Sequence, residues 1–357
     1  MITNRDVYSL HHTKQLVDEY LDDYLSQQFL RTQKMGDSYG RLLEIMQQHM
    51  AAGGKRLRPF LTLLAYQGYG GKDIDAVIPI ACAWEFLHAA LLVHDDIIDR
   101  DDVRHGTANI FGRYRAIYGP LVQNDLDHFA TSSALLAGDL LISYSQQIVL
   151  TSELDSNHKI GTLVFLNKAL FDVCGGELLD TETALFKIDQ TKARLVAHYK
   201  TASYTFELPL QNGAMLAGAP AADLNKLQIL GNKLGVAFQL VDDLLGVFGT
   251  SAATGKSIDT DIRERKHTVL VQQAYSLLPD AQRKELAQLY DIRSEITDHG
   301  VQRVRQLLVD SGAQEVVMAE AETLNSEAKT LIDELTMYEP AKQALRQLAK
   351  KILKRDS

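Results

Sequence analysis

The feature that most constrains this chain is an apolar segment that ends in a cluster of acids. Residues 77–93 are mostly apolar, and the chain continues as HDDIIDRDD, with five aspartates between residues 95 and 102. Crowded carboxylates raise one another's pKa unless a cation compensates them, and the C-terminal end of a helix is already partly negative. A buried helix that ends in this way indicates a site that binds cations.

Helical periodicity extends through the rest of the chain, and no alternating run is long enough to predict a sheet. The predicted helices cover residues 10–50, 60–69, 78–100, 127–150, 158–183, 190–218, 222–248, 268–278, 281–290, 295–311, 313–336 and 340–355. Because there is no linker and no fixed-period repeat, we expect one all-α domain over residues 1–357. Within it we expect N-terminal helices in 1–50, a mobile loop at 249–268 and a basic tail at 340–357.

Charge and cysteine content narrow the classes of function. The net charge of −9 at pH 7 argues against nucleic acid as a partner. Cys82 and Cys174 lie in apolar context without a signal sequence before them, so we expect reduced, buried thiols in a cytoplasmic protein. Polar residues interrupt the apolar stretch at 77–93, which is also short, so it predicts a core helix and not a membrane span.

A second acidic pair repeats the pattern of the first. FQLVDDLLG places Asp242 and Asp243 after another apolar run and before another glycine-containing loop. In the first cluster, Asp95 and Asp99 are separated by four residues and therefore share a helix face. Hard carboxylate oxygens select Mg²⁺, which completes its shell with water and phosphate oxygens. Two matched pairs predict a magnesium–diphosphate site.

Basic residues that could bind a diphosphate surround these pairs in the sequence. Singly, each is as well explained by surface charge, and it is their placement that favours a site. They are Lys55 and Arg58 in GGKRLRP, Arg104 after the first acids, Lys200 in YKTAS, and Lys256 and Lys266 after the second acids.

Taken in order, these motifs resemble the trans-prenyl diphosphate synthases, or polyprenyl synthetases. The matching elements are GGKRLRP, EFLHAALLVHDDIID, LLAGDLL at 135–141, KT at 200–201, GVAFQLVDDLLG and the following TGK…DIRERKHT. The resemblance covers roughly residues 53–266 and is strongest to geranylgeranyl diphosphate synthases. It implies an isoprenoid synthase fold of antiparallel helices around a deep central cavity, usually in a homodimer. It also implies that isopentenyl diphosphate attacks an ionised allylic diphosphate.

The resemblance also implies roles for single residues. Asp95 and Asp99 would hold two Mg²⁺ ions and Asp242 a third, with Asp96 and Asp243 in support. The allylic diphosphate would be bound by Arg104, Lys200, Lys256 and Lys266, and isopentenyl diphosphate by Lys55, Arg58 and His88. Thr201 and Gln239 would turn oxygen dipoles toward the carbocation, and the released diphosphate would take the proton.

Product length is predicted from the residues that precede the first aspartates. In the family, aromatic residues four or five positions before the first aspartate stop chain growth early. Leu91 and Ala90 stand there, with Leu87 one turn further along the helix. Because none of them is aromatic, we expect a product of twenty carbons or more.

Three positions depart from the family pattern. Gly246 replaces the last aspartate of the second motif, and His105 replaces an arginine that normally helps to bind isopentenyl diphosphate. Gly176-Glu177 replaces a glycine–glutamine pair. The basic tail raises two further options, closure over the diphosphates or transient contact with an anionic membrane as a lipid product leaves.

Three alternatives remain open at this point. A class I terpene cyclase shares the fold and one acidic motif, but it needs no second substrate. A non-catalytic subunit of a two-component synthase would be expected to lose the aspartates, which are present here. A metal phosphohydrolase built on the HDD at 94–96 lacks a convincing set of further histidine ligands.

Overall fold

The computed structural model describes residues 7–32, 34–104, 106–122, 124–185, 188, 191–249, 259–291 and 296–354. The described chain is almost entirely helical, as the periodicity predicts. By internal packing it divides into two compact units. The first comprises Met1–Leu166 with Asn212–Ala219, and the second comprises Asn167–Gln211 with Pro220–Ser357.

The first unit is built around one apolar helix. Its elements are α1 (Leu10–Thr32), α2 (Asp37–Ala51), α3 (Leu57–Gly68), α4 (Ile74–Ile98), β1 (Val103–Arg104), β2 (Thr107–Ala108), α5 (Ile110–Tyr118), α6 (Leu126–Thr151), and parts of α7 (Ser156–Thr183) and α9 (Leu208–Leu216). Helix α4 packs against α1, α3 and α6. Its side chains are buried on nearly all sides, as expected for a central helix.

Helix α4 is longer than the sequence predicted, and it is long and apolar enough to cross a membrane by length and composition. However, 72% of its most apolar window is buried within the protein, which is typical of a core helix. Asp73 caps its first turn by accepting from the amide of Ala76. The buried Trp84 donates to Asn212 Oδ1 at 2.9 Å.

The second unit is built around α10. Its elements are the rest of α7 and α9, α8 (Lys192–Val196), a π-helix (Ala197–Glu207), α10 (Ala221–Phe248), α11 (Thr260–Arg263), α12 (Val269–Leu277), α13 (Asp280–Leu289), α14 (Asp298–Asp310), α15 (Ala313–Glu334) and α16 (Glu339–Leu353). Helix α10 packs against the π-helix, α15 and α16.

Three parts of the chain show local structure that periodicity did not specify. The helical region predicted over 10–50 is two helices, because the backbone at Gly36 takes φ +98° before α2. The single α-helix expected over 190–218 contains the π-helix. The apolar periodicity of the sequence does not reveal the wider turns of a π-helix. The gap between the helices predicted at 78–100 and 127–150 contains a two-stranded ribbon that pairs Val103 with Ala108, too short to show alternation.

The prediction for the two cysteines was right for one of them. Cys82 is buried in α4, whereas Cys174 is exposed on α7. Its neighbours on the same helical face, Phe171 and Leu178, are also exposed. Because these residues are apolar, the sequence predicted that this face of α7 is buried.

Candidate active site

The first acidic cluster lies at the C-terminal end of α4. Carboxylate oxygens of Asp95 and Asp99 lie within 4.8 Å of each other, and both residues are half-buried. Asp96, between them, is buried, and burial raises its pKa to about 6 while Arg104 acts in the opposite direction. The spacing of Asp95 and Asp99 is short enough for one hard cation to contact both side chains.

Arg104 lies against these acids. Its Nη2 donates to Asp95 Oδ2 at 2.9 Å, and its Nε donates to Asp96 Oδ1 at 2.6 Å. The ribbon of β1 and β2 supports this position, because Arg104 pairs with Thr107 across it. The residue predicted to bind the allylic diphosphate is thus held by the acids predicted to bind metal, and the guanidinium compensates part of their charge.

The GGKRLRP loop is anchored by Arg56, a basic residue between the predicted ligands Lys55 and Arg58. Gly53 and Gly54 have φ of +111° and +147°, which only glycine adopts readily, and Arg56 itself lies in the left-handed region. The buried Arg56 guanidinium donates to Glu85 Oε1 at 2.6 Å, Asp18 Oδ1 at 2.7 Å and the carbonyl of Met50 at 2.6 Å. The sequence feature that could have indicated this anchor is Glu85, the one acid within the apolar residues 77–93.

The three residues predicted to bind isopentenyl diphosphate lie on this loop and on α4. Lys55 is exposed, Arg58 is buried in the first turn of α3, and His88 is half-buried on α4. Burial lowers the pKa of His88 well below its usual value, and the charges of Arg58, Arg104, Arg56 and His49 lower it further. His88 is therefore a neutral imidazole in a region of positive potential.

The residues predicted to control product length differ in burial. Leu87 and Ala90 are fully buried, whereas Leu91 is half-buried. One turn before Ala90, Phe86 joins a cluster with Tyr24 and Tyr144, with ring centroids 5.3 and 6.0 Å away. Of the three predicted positions, Leu91 has the most room to change size.

In the second unit, Lys200 lies in the π-helix and is paired with two acids of α7. Its Nζ lies 2.8 Å from Glu177 Oε2 and 2.8 Å from Asp180 Oδ2. This approach needs Gly176, because a Cβ there would come within 2.5 Å of the backbone nitrogen of Lys200. Glu177, which departs from the family pattern, therefore has a structural role as a partner of Lys200.

The π-helix also brings Thr201 against α10. Thr201 Oγ1 donates to Gln239 Oε1 at 2.7 Å, and Gln239 Nε2 donates to Asp243 Oδ1 at 2.8 Å. Gly235 permits the contact between helices, because a Cβ there would lie 2.5 Å from Ala202 Cα. The two residues predicted to face the carbocation are thus brought together and oriented by one hydrogen-bonded chain.

The two acids of the second motif lie in different environments. Asp242 is exposed, whereas Asp243 is buried. Burial raises the pKa of Asp243 well above its usual value; Asp261 and Asp242 raise it further, although the Gln239 amide opposes the shift. Asp242 is therefore the acid of this pair that is open to a ligand.

The short helix α11, which follows α10 in the chain, contributes Asp261, a residue for which the motifs predicted no role. A Cβ built on Gly246 would lie 2.6 Å from Asp261 Oδ2, so this carboxylate occupies the space beside the glycine. Lys266 is paired with Glu264 at 2.8 Å. Lys256 and His105, which also carried predictions, lie outside the described residues.

A family model named polyprenyl synthetase matches residues 40–308 of the chain. The chain belongs to the polyprenyl synthetase family. It is 30% identical over 324 residues to a geranylfarnesyl diphosphate synthase of Aeropyrum pernix, covering 89% of this chain and 92% of that enzyme. It is 32% identical over 271 residues to a (2E,6E)-farnesyl diphosphate synthase of Mycobacterium bovis, covering 75% and 70%.

A solved structure agrees with this assignment. The geranylgeranyl pyrophosphate synthase of Corynebacterium glutamicum, complexed with isoprenyl diphosphate and magnesium, matches with a TM-score of 0.92 and 28% identity, covering 97% of this chain and 99% of that one. The resemblance seen in the motifs is therefore confirmed, and so is the all-α isoprenyl synthase fold. As a polyprenyl synthetase, the protein is a prenyltransferase.

Proposed function

We propose that the protein is a magnesium-dependent trans-prenyl diphosphate synthase that joins isopentenyl diphosphate to an allylic diphosphate. The observation that carries the proposal is the Asp95–Asp99 pair, two half-buried carboxylates one helical turn apart at the end of a buried helix. Such a pair supplies the hard oxygen donors that Mg²⁺ takes, and it leaves coordination positions for phosphate oxygens.

The proposed metal ligands are Asp95 and Asp99 in the first unit and Asp242 in the second, and we propose three ions. The donor chemistry fits, because all three are carboxylates and none is fully buried. Bound Mg²⁺ would stabilise the diphosphate as it leaves the allylic carbon. Arg104 now occupies oxygens of Asp95 and Asp96, so metal binding would free its guanidinium to contact a phosphate.

The chain's own residues supply the remaining steps. Arg104, Lys200, Lys256 and Lys266 would bind the allylic diphosphate, and its carbon–oxygen bond breaks with the electron pair leaving on oxygen. The hydroxyl and amide oxygens of Thr201 and Gln239, already oriented by their 2.7 Å hydrogen bond, would face the allylic cation. Lys55, Arg58 and neutral His88 would hold isopentenyl diphosphate while its double bond attacks. The released diphosphate would take the proton lost in the last step.

We further propose a product of twenty carbons or more. The support is that Ala90 and Leu91 carry no aromatic ring that would stop chain growth early. The relatives above are named for three different products, farnesyl, geranylgeranyl and geranylfarnesyl diphosphate, so the residues of α4 carry the proposal. The test is incubation with Mg²⁺, isopentenyl diphosphate and allylic primers of increasing length, followed by chromatography of the dephosphorylated products.

The same incubation separates the alternatives. A synthase elongates at least one primer in proportion to the isopentenyl diphosphate consumed. A terpene cyclase would convert a primer to a cyclic hydrocarbon and leave isopentenyl diphosphate untouched. A non-catalytic subunit would do neither, although Asp95, Asp99 and Asp242 are all present in this chain.

We propose a homodimer as the working assembly. Phe171 and Leu178, seven residues apart on one face of α7, are 81% and 72% exposed. Large apolar side chains exposed along one helix face are typical of a surface that binds another protein. Sedimentation equilibrium should give a dimer, and Phe171→Glu should give a monomer.

The basic tail is a helix whose apolar face is buried, which limits the residues that could contact a membrane. The apolar residues of α16, among them Leu345 and Ile352, are buried against the second unit, and Asn325 donates to the carbonyl of Ala349 at 2.7 Å. Among the described residues of the tail, the exposed lysines that could contact a membrane are Lys350, Lys351 and Lys354. Deletion of 350–357 should raise the KM for isopentenyl diphosphate if the tail closes over the diphosphates, and should instead weaken binding to anionic vesicles if it contacts membrane.

A further inference from the structure

The segment that carries Asp261 has an unusual backbone at both of its ends. Helix α11 spans only Thr260–Arg263. Asp259, which precedes it, has φ +97°, and Arg265, which follows it, has φ +54°. Residues other than glycine are rarely found at such values, and they stay there only where surrounding contacts hold them. Contacts from other parts of the chain therefore hold this segment in its conformation.

Two ion pairs connect the segment to α14, and they differ in exposure. Arg263 Nη2 lies 2.5 Å from Asp298 Oδ1, but Asp298 is 90% exposed, and so exposed a pair contributes little. Arg305 Nη2 pairs with Asp259 Oδ1, and these side chains are only 29% and 20% exposed. The pair between Arg305 and Asp259 is therefore the stronger of the two, and it holds the residue whose φ is +97°.

The position of Asp259 sets that of the Asp261 carboxylate. The carbonyl of Asp259 accepts from the backbone nitrogen of Arg263 at 2.8 Å, which closes the turn that contains Asp261. Asp261 Oδ2 lies 2.6 Å from a Cβ built on Gly246, and its charge is near enough to raise the pKa of Asp243. A shift of Asp259 would therefore move a carboxylate away from the second acidic motif.

We propose that Arg305 is a positioning residue of the metal site, and that its ion pair with Asp259 holds the Asp261 carboxylate in place. The carboxylate so held lies beside Gly246, where the second acidic motif lacks its last acid. That this site binds Mg²⁺ rests on the proposed function. Arg305 lies on a helix that none of the family motifs includes, so the motifs could not reveal it.

Two arginines of α14 give a matched pair of variants. Arg305→Gln removes the charge that pairs with Asp259. Arg303→Gln removes, from the same helix, a charge that binds both oxygens of Glu285 at 2.7 Å. We expect Arg305→Gln to raise the Mg²⁺ concentration needed for half-maximal rate roughly tenfold, as for loss of a residue that orients a metal ligand. Arg305→Lys should restore most of the wild-type value, and Arg303→Gln should not change it.

Asp259→Gly separates positioning from a general effect on stability. Glycine adopts φ +97° readily, so this variant relieves the backbone while it removes the ion pair. We expect a midpoint of urea unfolding close to that of the wild type, together with the same rise in Mg²⁺ requirement as in Arg305→Gln. The double variant Arg305→Gln/Asp259→Gly should resemble either single variant, because both changes remove one interaction.

The kinetics also distinguish positioning from binding of the second substrate. At saturating Mg²⁺ the KM for isopentenyl diphosphate should stay at the wild-type value in every variant, because α11 carries none of the residues proposed to bind this substrate. An unchanged Mg²⁺ requirement in folded Arg305→Gln protein would overturn the proposal. A Mg²⁺ requirement that rises in step with loss of stability, as much in Arg303→Gln as in Arg305→Gln, would overturn it as well.

Titration with Mn²⁺, followed by the electron paramagnetic resonance signal of the free ion, gives a readout that does not depend on turnover, since Mn²⁺ takes the same oxygen ligands as Mg²⁺. We expect weaker Mn²⁺ binding in Arg305→Gln and Asp261→Asn, and wild-type binding in Arg303→Gln. Equal Mn²⁺ binding by the wild type and Arg305→Gln would contradict the proposal. If the wild-type protein elongates no primer, the proposed function fails, and Mn²⁺ binding still decides whether Arg305 positions a metal ligand.

Discussion

The carboxylate of Asp261 lies in the space where a side chain at Gly246 would begin, with Oδ2 2.6 Å from a Cβ built on the glycine. The second acidic motif lacks its last carboxylate at 246, and Asp261 brings one to the same place from α11. We therefore predict that Gly246→Ala displaces the Asp261 carboxylate and raises the Mg²⁺ concentration needed for half-maximal rate. The free energy of unfolding should fall by less than about 1 kcal/mol, since the side chain of Asp261 can move away from the added methyl group.

The matched control for this variant is Gly175→Ala, on α7 in the same unit, where a Cβ would meet nothing within 4 Å. It should leave the Mg²⁺ requirement unchanged and stabilise the helix by about 0.5–1 kcal/mol. Equal Mg²⁺ dependence of the two variants would show that Asp261 does not replace the missing acid. Gly246→Asp, which restores the family residue, should lower kcat/KM about tenfold, equivalent to ~1.4 kcal/mol, because two carboxylates would then compete for one space.

The raised pKa of Asp243 predicts how the free energy of unfolding of the metal-free protein depends on pH. Burial raises its pKa well above the usual value, so between about pH 4 and that raised pKa the folded state binds more protons than the unfolded state. The contribution of Asp243 to stability is therefore present below about pH 4 and is lost as pH rises through this window, by ~1.4 kcal/mol for each unit of pKa difference.

Asp243→Asn should remove this dependence, because an asparagine oxygen can still accept from Gln239. Urea unfolding between pH 5 and pH 8 in the presence of a chelator checks the prediction. We expect the wild type to lose stability relative to the variant as pH rises. Parallel curves for the two proteins would show that Asp243 is ionised in the folded state at all these pH values.

Loss of the buried Arg56–Glu85 ion pair should lower the free energy of unfolding substantially. Both side chains are almost fully buried, and Glu85→Gln leaves the Arg56 guanidinium paired with the more exposed Asp18 alone among the described acids. This change should lower the free energy of unfolding by about 3 kcal/mol, the low end for a broken buried pair. Glu327→Gln, which breaks the more exposed Lys233–Glu327 pair, should cost about 0–1 kcal/mol in the same urea titration.

The same pair also anchors the loop that carries Lys55. A double variant, Arg56→Met with Glu85→Leu, should recover much of the stability because no charge is left unpaired. It should nevertheless keep a raised KM for isopentenyl diphosphate, because the loop has lost its three anchoring hydrogen bonds. Recovery of both stability and KM would mean that Arg56 has no role in positioning the loop.

Product length should respond to the size of the residue at 91. Leu91→Phe should shorten the main product, because Leu91 is half-buried and a ring can be accommodated there. Ala90→Phe should also shorten it but at a cost of about 1–3 kcal/mol in stability, since Ala90 is fully buried. Leu150→Phe, at an exposed position near the C-terminal end of α6, is the control and should leave the product unchanged. Unaltered products in both α4 variants would place the limit on chain growth elsewhere.

The positions of most helices followed from periodicity, because a buried face repeats every turn whatever the tertiary structure. For example, α6 and α10 begin and end within a residue of the predicted limits. The π-helix and the break at Gly36 did not follow, because both depend on local backbone geometry and on close packing against glycines. The motifs identified the acids and bases but not their partners. Arg56, Glu177 and Asp261 acquire their roles only through residues distant in sequence.

The most direct test of the central claim is the incorporation of labelled isopentenyl diphosphate into an allylic primer by the wild-type protein, with Mg²⁺ present and after its removal with a chelator. We predict incorporation that requires Mg²⁺, returns when the metal is restored, and falls at least about a thousandfold in Asp95→Asn/Asp99→Asn, equivalent to ~4 kcal/mol of transition-state stabilisation. Incorporation that persists without divalent metal, or that the double variant retains at the wild-type rate, would contradict the claim.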